Sequence, residues 1–486
     1  MSTPGPPTTT SDTDGPLLDP AELRDGVARA GTLLERFYAG LDERPVLPNP
    51  HVDGLIERFH GTLGEDGVGL DGALTEVEEV VVDSAMGIPH PLYLGLINSS
   101  PLPGGIVAES IVGGFNNNAG SWQQSPPFAA AEHEVLRCFR DLLGLPDEAS
   151  GILLPGGSYA TLHAMQLARE AKLPAWRREG PRALAGDPRV YVSSASHFSA
   201  ARAAHAIGIA PKDVVHVACS GRGEMDPADL ARRVAEDLEQ GHLPFAVVAT
   251  LGTTGTGAVD PLPELAEVCR AHDLWLHVDA CYGGAAALLD ELKPHFASLG
   301  SADSVAVDPH KWFFVPMVAG LVFTLHTALE LETFDVDAPY IPSYDIPDAY
   351  RRGLPTSRRA AGFTVWMALR AHGLARVREE VRRNCTMARL LEDRLRDAGF
   401  RVLEGGEMSI ACARWEPQGL DGAQLDDLQH RITREVVASG DAWFGTVRAG
   451  EIWLRFCLVS TFLREQHVDR LVTRVTEVAR GLSAPR

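Results

Sequence analysis

Short apolar runs alternate with amphipathic stretches in the middle of the chain, from about residue 130 to residue 325. The stretches AAAEHEVLRCFRDLLGL and SYATLHAMQLAREA place apolar residues at helical spacing, which predicts two helices. Five runs lack polar alternation, which is typical of strands buried on both faces: RVYVSSA, FAVVATLG, LWLHVDA, DSVAVD and GLVFTL. Strands that alternate with helices in this way predict an α/β domain with a mostly parallel sheet, and we assign it to residues 89–335.

The regions on either side of this domain show different patterns. Helical spacing in AELRDGVARAGTLLERFYAGLDE, and again over about 70–86, predicts an N-terminal helical arm at 21–88. The Pro- and Thr-rich segment 1–20 that precedes the arm is typical of a disordered leader. Beyond residue 360, a long helical region, the runs FRVLEGG, SIACARW and EIWLRFCLV, and two further helices predict a small α+β domain at 361–486.

Residues 333–360 have neither a helical nor a strand period and are rich in Pro, Asp and Tyr. A structureless connection of this length is uncommon inside a compact protein unless it has a function. We therefore expect a mobile catalytic loop at 336–360.

Charge and cysteine usage exclude several classes of function. The chain has 486 residues, with 65 acidic against 44 basic ones and a net charge of −21, and its basic residues form no cluster suited to a phosphate backbone. Nucleic acid is therefore not an expected partner. The seven cysteines are scattered without a CxxC pair, which favours neither a disulfide framework nor a zinc site and fits a reducing, cytoplasmic location. The cysteine spacing therefore gives no reason to expect a metal. No apolar run approaches the length of a membrane span, so no membrane partner is expected either.

One lysine stands out because this chain uses arginine for nearly every positive charge. Only four lysines are present: Lys172, Lys212, Lys293 and Lys311. Lys311 lies in VDPHKWFF, just after a predicted strand, where loops of an α/β sheet bind ligands. Arginine can replace lysine as a surface charge, but its guanidinium cannot supply a free amine for imine formation. The alternative for Lys311 alone is a solvated surface charge.

Glycines in LLPGGSYATLHAM join a probable strand to a helix. Gly156 and Gly157 allow backbone N–H groups to approach an anion, and Ser158 can cap the helix and donate its hydroxyl. The alternative is a tight turn with an ordinary N-cap. The sequence contains no P-loop and no GxGxxG that opens a helix, which disfavours ATP and dinucleotides.

Two further polar residues follow predicted strands. His197 comes just after RVYVSSA, where a capping or packed histidine is the alternative, and Asp279 closes LWLHVDA, where an internal arginine partner is the alternative. Pyridoxal 5′-phosphate requires an amine, a carboxylate for its pyridine nitrogen, an anion cradle for its phosphate and a flat side chain over its ring. Lys311, Asp279, the Gly156–Ser158 turn and His197 can supply these groups in that order.

The chain resembles the group II pyridoxal-phosphate-dependent amino acid decarboxylases, which include the aromatic L-amino acid, glutamate and histidine decarboxylases. The resemblance rests on seven motifs in the family's order: HPLYLG, NNNAGSW, PGGSYATLHAM, GTTGTGAVD, HVDACYGG, ADSVAVDPHKW and LRF. It covers about residues 88 to 460, which is most of the chain. It implies a fold type I, aspartate aminotransferase-like fold and a homodimer with active sites at the subunit interface.

The resemblance also implies cofactor-binding roles. Lys311 would form the internal aldimine, Asp279 would pair with the pyridinium nitrogen, and His197 would stack on the ring. Ser158 and the neighbouring backbone would bind the phosphate, with Thr254 nearby. Gly156, Gly157, Asp308 and His310 are the remaining expected cofactor contacts.

Two residues would act directly on the substrate. Tyr340 occupies the position of the family's mobile-loop tyrosine, which reprotonates the substrate carbon after carbon dioxide leaves. Arg455 in WLRF matches an arginine that meets the substrate carboxylate, and His310 would contact phosphate or substrate. Catalytic roles are therefore expected for Lys311, Tyr340, His197 and His310.

The substrate pocket departs from that of the aromatic amino acid decarboxylases. Where those enzymes place aromatic side chains, this chain has Leu96, Ile97, Asn98, Asn118 and Gly120, which predicts a wider and more polar pocket. Other departures are Cys281 in place of a usual alanine, Asp308 where several members have asparagine, and Ala361 where an arginine is common.

These observations predict a pyridoxal-phosphate-dependent lyase that acts on an L-amino acid or a derivative through the Lys311 aldimine and a quinonoid intermediate. It would release carbon dioxide and an amine. A specialised biosynthetic enzyme is the first alternative, with decarboxylation coupled to oxidative deamination, or β-elimination, on a bulky conjugate. A catalytically silent α/β dimer that retains the fold for binding is the second.

Overall fold

The computed structural model describes residues 18–48, 52–335 and 346–483. Two compact units divide the chain, Met1–Gly87 and Ile88–Arg486. Residues 1–17 of the predicted leader and residues 336–345 of the predicted loop, with Tyr340, lie outside the described residues.

The first unit is helical. Its helices are α1 (Pro20–Ala39), α2 (Val52–Phe59) and α3 (Gly69–Glu76), and α3 runs on into a π-helical turn at Val77–Val82. The Asp19 side chain caps α1 by accepting a hydrogen bond from the Ala21 N–H at 2.8 Å. Arg29 of α1 pairs with Asp71 of α3, so α1 and α3 are held to each other by an ion pair.

The second unit contains twelve α-helices among its described residues. They are α4 (Pro103–Phe115), α5 (Pro126–Leu142), α6 (Gly157–Lys172), α7 (Pro174–Glu179), α8 (Ser199–Ala206), α9 (Pro227–Glu239), α10 (Leu262–Ala271), α11 (Thr327–Phe334), α12 (Ala361–His372), α13 (Leu374–Asp397), α14 (Gly422–Ser439) and α15 (Glu465–Ser483). Short 3₁₀ segments lie at Pro181–Ala183, Pro211–Asp213, Gly283–Leu288, Asp290–Phe296, Leu299–Ser301 and Ala349–Arg351.

A seven-stranded sheet forms the centre of this unit. Its strands are β1 (Ser150–Leu154), β2 (Pro188–Ser193), β3 (Val214–Val217), β4 (Leu243–Thr250), β5 (Trp275–Asp279), β6 (Ser304–Val307) and β7 (Gly320–Thr324). The strand order is β1-β7-β6-β5-β4-β2-β3, and only β7 runs antiparallel to its neighbours. Every residue of β5, β6 and β7 is buried, as expected of largely apolar strands in a sheet that helices cover on both faces.

A second, antiparallel sheet follows along the chain. It consists of β8 (Arg401–Val402), β9 (Ile410–Arg414), β10 (Gly445–Ala449) and β11 (Glu451–Cys457), in the order β10-β11-β9-β8. The Leu94 N–H donates a hydrogen bond to the Trp443 carbonyl at 2.7 Å, and the Cys457 N–H donates to the Leu94 carbonyl at 2.8 Å. The HPLYLG segment is therefore fastened beside β11.

The predicted α/β fold with a mostly parallel sheet is confirmed. The long helical region after residue 360 proves to be two helices, α12 and α13, because Gly373 between them has a φ of 78° that breaks the helix. Among the residues that the structure describes, no helix has the length and apolar character needed to cross a membrane.

Candidate active site

The carboxyl ends of neighbouring strands bring the candidate residues to one edge of the large sheet. Asp279 is the last residue of β5, Asp308 follows β6 directly, and Thr250, the last residue of β4, pairs with Asp279 in register. His197 follows β2, and the glycine turn follows β1. Residues far apart in sequence therefore meet where a doubly wound sheet binds its ligands.

Lys311 lies beside a buried carboxylate. Its Nζ is 3.0 Å from Oδ2 of Asp308, and its side chain is 22% exposed. Burial disfavours the charged ammonium, but the carboxylates of Asp308 and Asp279 outweigh it and raise the pKa of Lys311. The lysine backbone is fixed too, because its N–H donates to the Asp308 carbonyl at 3.0 Å and the Ser99 hydroxyl donates to its carbonyl.

Asp279 is a buried carboxylate that stays charged. Burial alone would raise its pKa, but nearby Lys311 and hydrogen bonding to Cys281 overcome that effect and lower it. The Cys281 N–H donates to Oδ1 of Asp279 at 3.0 Å. A carboxylate held in this state can face a protonated ring nitrogen.

The glycine turn, Gly156–Ser158, lies against the loops that follow β5 and β6. Gly156 has a φ of 87°, which suits glycine and lets the chain enter α6 abruptly. A Cβ at Gly157 would lie 2.5 Å from the Cys281 sulfur and 2.6 Å from Oδ2 of Asp308. The expectation that Ser158 caps the helix is wrong: Gly156 occupies the cap position without a side-chain hydrogen bond, and Ser158 is the exposed second residue of α6.

The two histidines are both held by hydrogen bonds at Nδ1. The Ser199 N–H points to Nδ1 of His197 at 3.3 Å, and the Ser199 hydroxyl is 2.7 Å from that atom. Burial, followed by nearby Lys311, lowers the pKa of His197, which favours the neutral ring at neutral pH. His310 donates from Nδ1 to the Ala319 carbonyl at 2.6 Å, and its Nε2 lies 3.9 Å from Oδ2 of Asp308.

Arg455 on β11 anchors the loop that carries Thr254. Its Nε donates to the carbonyls of Thr254 at 2.9 Å and Gly255 at 3.1 Å, and Nη1 donates to the Gly95 carbonyl. Its Nη2 is buried without a hydrogen-bond partner among the described residues. The guanidinium therefore holds two backbone segments together and leaves Nη2 as an unused donor.

The expected pocket residues come from two segments, one at Leu96–Asn98 and one that contains Asn118 and Gly120. Leu96 is exposed, Ile97 is buried in the main hydrophobic core, and the Asn98 amide lies 3.8 Å from the Met317 sulfur. Asn118 Oδ1 accepts from the N–H groups of Gly120 and Arg358, both at 2.9 Å. Asn118 is thus used to fasten two backbone segments together.

Gly120 is required by packing in this structure. A Cβ there would lie 2.4 Å from the Thr356 carbonyl oxygen. The Arg358 side chain adds two hydrogen bonds, because it donates to the Ala119 carbonyl at 3.1 Å and to Glu132 at 2.7 Å. A close approach of backbone to backbone therefore explains the glycine without a wider pocket.

The residues present fit pyridoxal 5′-phosphate. Asp308 Oδ1 is buried without a hydrogen-bond partner among the described residues, and Gly157 lets the backbone of the turn lie against Asp308, where a side chain would clash. The first N–H groups of a helix such as α6 have no partner within the helix and suit an anion. Lys311 offers the amine and Asp279 the carboxylate. These groups together would hold the aldehyde, the ring nitrogen and the phosphate.

Several supporting residues were not found from the sequence. Trp312 is fully buried beside the lysine, and its indole N–H donates to Asn384 on α13 at 2.9 Å. Tyr282 stacks on Trp312 with a centroid distance of 5.1 Å and bonds to Ser409 at 2.6 Å. Asn384 lies in an ordinary helical pattern, so no signal in the sequence distinguishes it.

Comparison with known proteins identifies the family. Residues 89–414 match the pyridoxal-dependent decarboxylase conserved domain. The chain is 26% identical over 474 residues to the aromatic-L-amino-acid decarboxylase of Bacillus atrophaeus, covering 96% of this chain and 97% of that protein. It is 33% identical over 364 residues to human acidic amino acid decarboxylase GADL1, covering 71% and 68%.

Two other relatives extend this result. The 4-hydroxyphenylacetaldehyde synthase of Rhodiola rosea is 26% identical over 486 residues, covering 98% of both chains. The crystal structure of Oryza sativa TDC with PLP and tryptamine superimposes with a TM-score of 0.91 at 24% identity, covering 97% of this chain and 100% of that one, which shows the fold. This chain therefore belongs to the pyridoxal-dependent decarboxylase family, and its cofactor is pyridoxal 5′-phosphate.

Proposed function

We propose that the protein removes the α-carboxylate of an L-amino acid or amino acid derivative as carbon dioxide and releases the amine. The observation that supports this most is the group of Lys311, Asp308 and Asp279 at the strand ends, in which an amine and two buried carboxylates lie beside a glycine turn. The bound cofactor supplies an aldehyde that takes up the substrate amine and a ring that accepts the electron pair of the broken bond.

The chain's own residues hold and orient the reactants. Asp279, kept charged by Lys311 and Cys281, would keep the ring nitrogen protonated. The N-terminus of α6 would bind the phosphate, and neutral His197 would cover one ring face. The spare Nη2 donor of Arg455 would meet the substrate carboxylate.

Product formation requires a proton donor after carbon dioxide leaves. We assign this role to Tyr340, on the resemblance of DAPYI to the mobile-loop tyrosine motif. A phenol that delivers one proton to carbon would determine the amine as the product.

The test measures carbon dioxide and amine in parallel across a panel of L-amino acids and conjugates. Equal amounts of the two products support the proposal for the wild-type enzyme. Tyr340→Phe should lower amine formation more than carbon dioxide release, because only the protonation step loses its donor. Equal loss of both products would remove Tyr340 from this role, and an absence of carbon dioxide with every substrate would overturn the proposed reaction.

A second candidate function is decarboxylation coupled to oxidative deamination, with an aldehyde as product. The observation in its favour is the 26% identity over 98% of both chains to the Rhodiola rosea aldehyde synthase. Oxygen uptake and release of aldehyde, ammonia and peroxide would support it. Strict amine formation without oxygen uptake would exclude it.

We also propose that the working unit is a homodimer with its active sites at the subunit interface. Exposed apolar side chains occur on α4 (Val107 and Phe115) and in the loop after Lys311 (Met317 and Val318). Glu109 of α4, Met317 and Pro355 line one cavity of about 300 Å³, so α4 and this loop lie together on one face of the unit. An apolar face of this kind is usually covered by a partner. Light scattering should give about twice the 52.3 kDa chain mass, and a monomer that retains activity would refute the proposal.

A reducing compartment such as the cytoplasm suits the cysteines. All seven are free, and five of them are buried. Proteins from oxidising compartments usually pair their cysteines. Cell fractionation would test this location, and recovery in an oxidising compartment would contradict it.

A further inference from the structure

Asp308 is a buried carboxylate with unused hydrogen-bonding capacity. It is 1% exposed, and its Oδ2 lies 3.0 Å from Nζ of Lys311. Its Oδ1 is buried and has no hydrogen-bond partner among the described residues. A buried carboxylate oxygen is usually satisfied, so this atom is available to a group that enters the site.

The charges that face Lys311 come from several loops. Its titratable neighbours are Asp308, Asp279, Cys281, Cys457, His197 and His310. Burial raises the pKa of the two thiols and lowers that of His197, so these three groups are uncharged at neutral pH. The carboxylates of Asp279 and Asp308 are therefore the negative charges that act on the lysine nitrogen.

The two carboxylates differ in position. Asp279 ends β5, where it would face the ring nitrogen of the cofactor, whereas Asp308 makes direct contact with Nζ. Asparagine at position 308 would preserve the shape but not the charge. The carboxylate therefore adds electrostatic stabilisation of a positive nitrogen that an amide cannot supply.

We propose that Asp308 sets the protonation state of the Lys311 nitrogen. It holds Nζ as an ammonium in the free enzyme, and the same carboxylate would stabilise a positive charge on this nitrogen when the cofactor is bound. The cofactor would supply the carbon that receives the substrate amine, and the positive charge that Asp308 stabilises on the adjacent nitrogen would make that carbon more electrophilic. This inference rests on the proposed role of Lys311 as the reactive amine.

The test compares the wild-type holoenzyme with Asp308→Asn by following the visible absorbance of the bound cofactor as a function of pH. Loss of one negative charge in contact with the nitrogen should move the titration midpoint down by about 1 to 3 pH units. Asp308→Glu, which retains the charge, should remain nearer to the wild-type midpoint. An unchanged midpoint in Asp308→Asn would overturn the inference.

A matched control removes the same kind of pair from the surface. Asp187 Oδ2 lies 2.6 Å from Nζ of Lys212, and both side chains are exposed. Asp187→Asn should leave the midpoint unchanged because this pair is far from the strand ends that form the site. A midpoint change as large as that of Asp308→Asn would show a nonspecific effect and reject the inference.

Two further measurements separate the possible failures. Borohydride reduction followed by peptide mapping shows whether the cofactor is attached to Lys311; attachment elsewhere refutes the proposed role of Lys311 itself. If Asp308→Asn does not retain the cofactor, the acylation rate of Lys311 is measured against pH in cofactor-free protein. The variant should react faster than wild type at neutral pH, by about tenfold for every unit by which the lysine pKa falls. Equal acylation rates in the variant and wild type would overturn the inference. Tighter cofactor binding by Asp308→Asn without a change in the titration midpoint would also overturn it, because that result would indicate that Asp308 contacts the phosphate instead.

Discussion

Two buried carboxylates in the same unit, Glu330 and Asp308, have opposite surroundings. Each is 1% exposed. Glu330 Oε1 lies 3.2 Å from His163, and Oε2 accepts from Arg352 at 2.8 Å and from Ser150 at 3.1 Å. Asp308 has one lysine contact at 3.0 Å and one oxygen without a partner among the described residues. The first carboxylate is saturated, and the second is not.

This difference separates structural from chemical use of a buried charge. Saturation fixes the Glu330 cluster, in which His163 also stacks on Phe334 at a centroid distance of 4.7 Å. A fully paired buried charge resists change, since removing one partner leaves the other uncompensated. The incomplete pairing of Asp308 leaves room for a ligand and keeps Lys311 within reach of it.

The largest expected effect comes from removing the reactive amine. Lys311→Ala should lower kcat by about 10³-fold or more and abolish the visible absorbance of covalently attached cofactor, because no other group replaces the amine. Steady-state kinetics and absorbance spectra measure the two effects.

Lys172→Ala is the matched control for this variant. Lys172, the last residue of α6, pairs with exposed Asp273 at 2.6 Å and lies outside the glycine turn and strand ends. It should retain both the absorbance and the activity. Activity in Lys311→Ala comparable to that of this control would show that the reactive amine lies elsewhere.

Breaking the saturated cluster should affect stability. Glu330→Gln removes the buried charge that pairs with partly buried Arg352 and should cost about 3 kcal/mol. Thermal unfolding measures the loss, while the spectrum of the bound cofactor should be retained. Stability equal to that of wild type would show that the cluster contributes nothing net.

The pH dependence of that variant sharpens the comparison. Although burial opposes it, pairing with His163 and Arg352 lowers the pKa of Glu330 below its ordinary value of 4.5. The resulting stabilisation is fully present above about pH 4.5 and is lost as the pH falls below that value. Wild type should therefore lose more melting temperature than Glu330→Gln between pH 5 and pH 3 (about two pH units). Parallel curves would contradict this assignment.

Removing the ring-facing carboxylate should have a smaller effect than removing the amine. Asp279→Asn should leave the cofactor attached but lower kcat by about 10²-fold, because the ring loses electrostatic stabilisation as electrons enter it. Kinetics together with absorbance separate this result from simple loss of cofactor. A variant with wild-type kcat would remove Asp279 from the mechanism.

The sequence predicted what strand patterning and local chemistry determine. Unbroken apolar runs located β2, β4, β5, β6 and β7, and the polar residues after them meet at one sheet edge. It did not indicate β3 or β10, because Val214–Val217 is a four-residue strand and Gly445–Ala449 lacks a buried pattern. Short strands are assigned mainly by their pairing partners, which lie far away in sequence.

Side-chain pairing over long sequence distances was beyond prediction. The sequence marked Asp308 as a substitution but gave no indication of its free oxygen or its contact with Lys311. It also marked Gly120 as a departure in the expected pocket but gave no indication of its close contact with Thr356. Tertiary contact, unlike periodicity, leaves no local pattern.

The smallest expected effects come from two glycine substitutions, one beside Asp308 and one at a backbone contact outside the cofactor-binding groups. Gly157→Ala would place a Cβ 2.6 Å from Oδ2 of Asp308, and Gly120→Ala would place one 2.4 Å from the Thr356 carbonyl. Overpacking of either kind costs about 1 to 3 kcal/mol. Gly157→Ala should weaken cofactor binding, because the new methyl group would displace Asp308 and Cys281 at the site. Gly120→Ala should lower the melting temperature with less change in affinity. Cofactor titration measures the affinity of both variants, and thermal unfolding measures their melting temperatures. If both variants lose affinity and melting temperature in the same proportion, the glycine turn has no special relation to the cofactor.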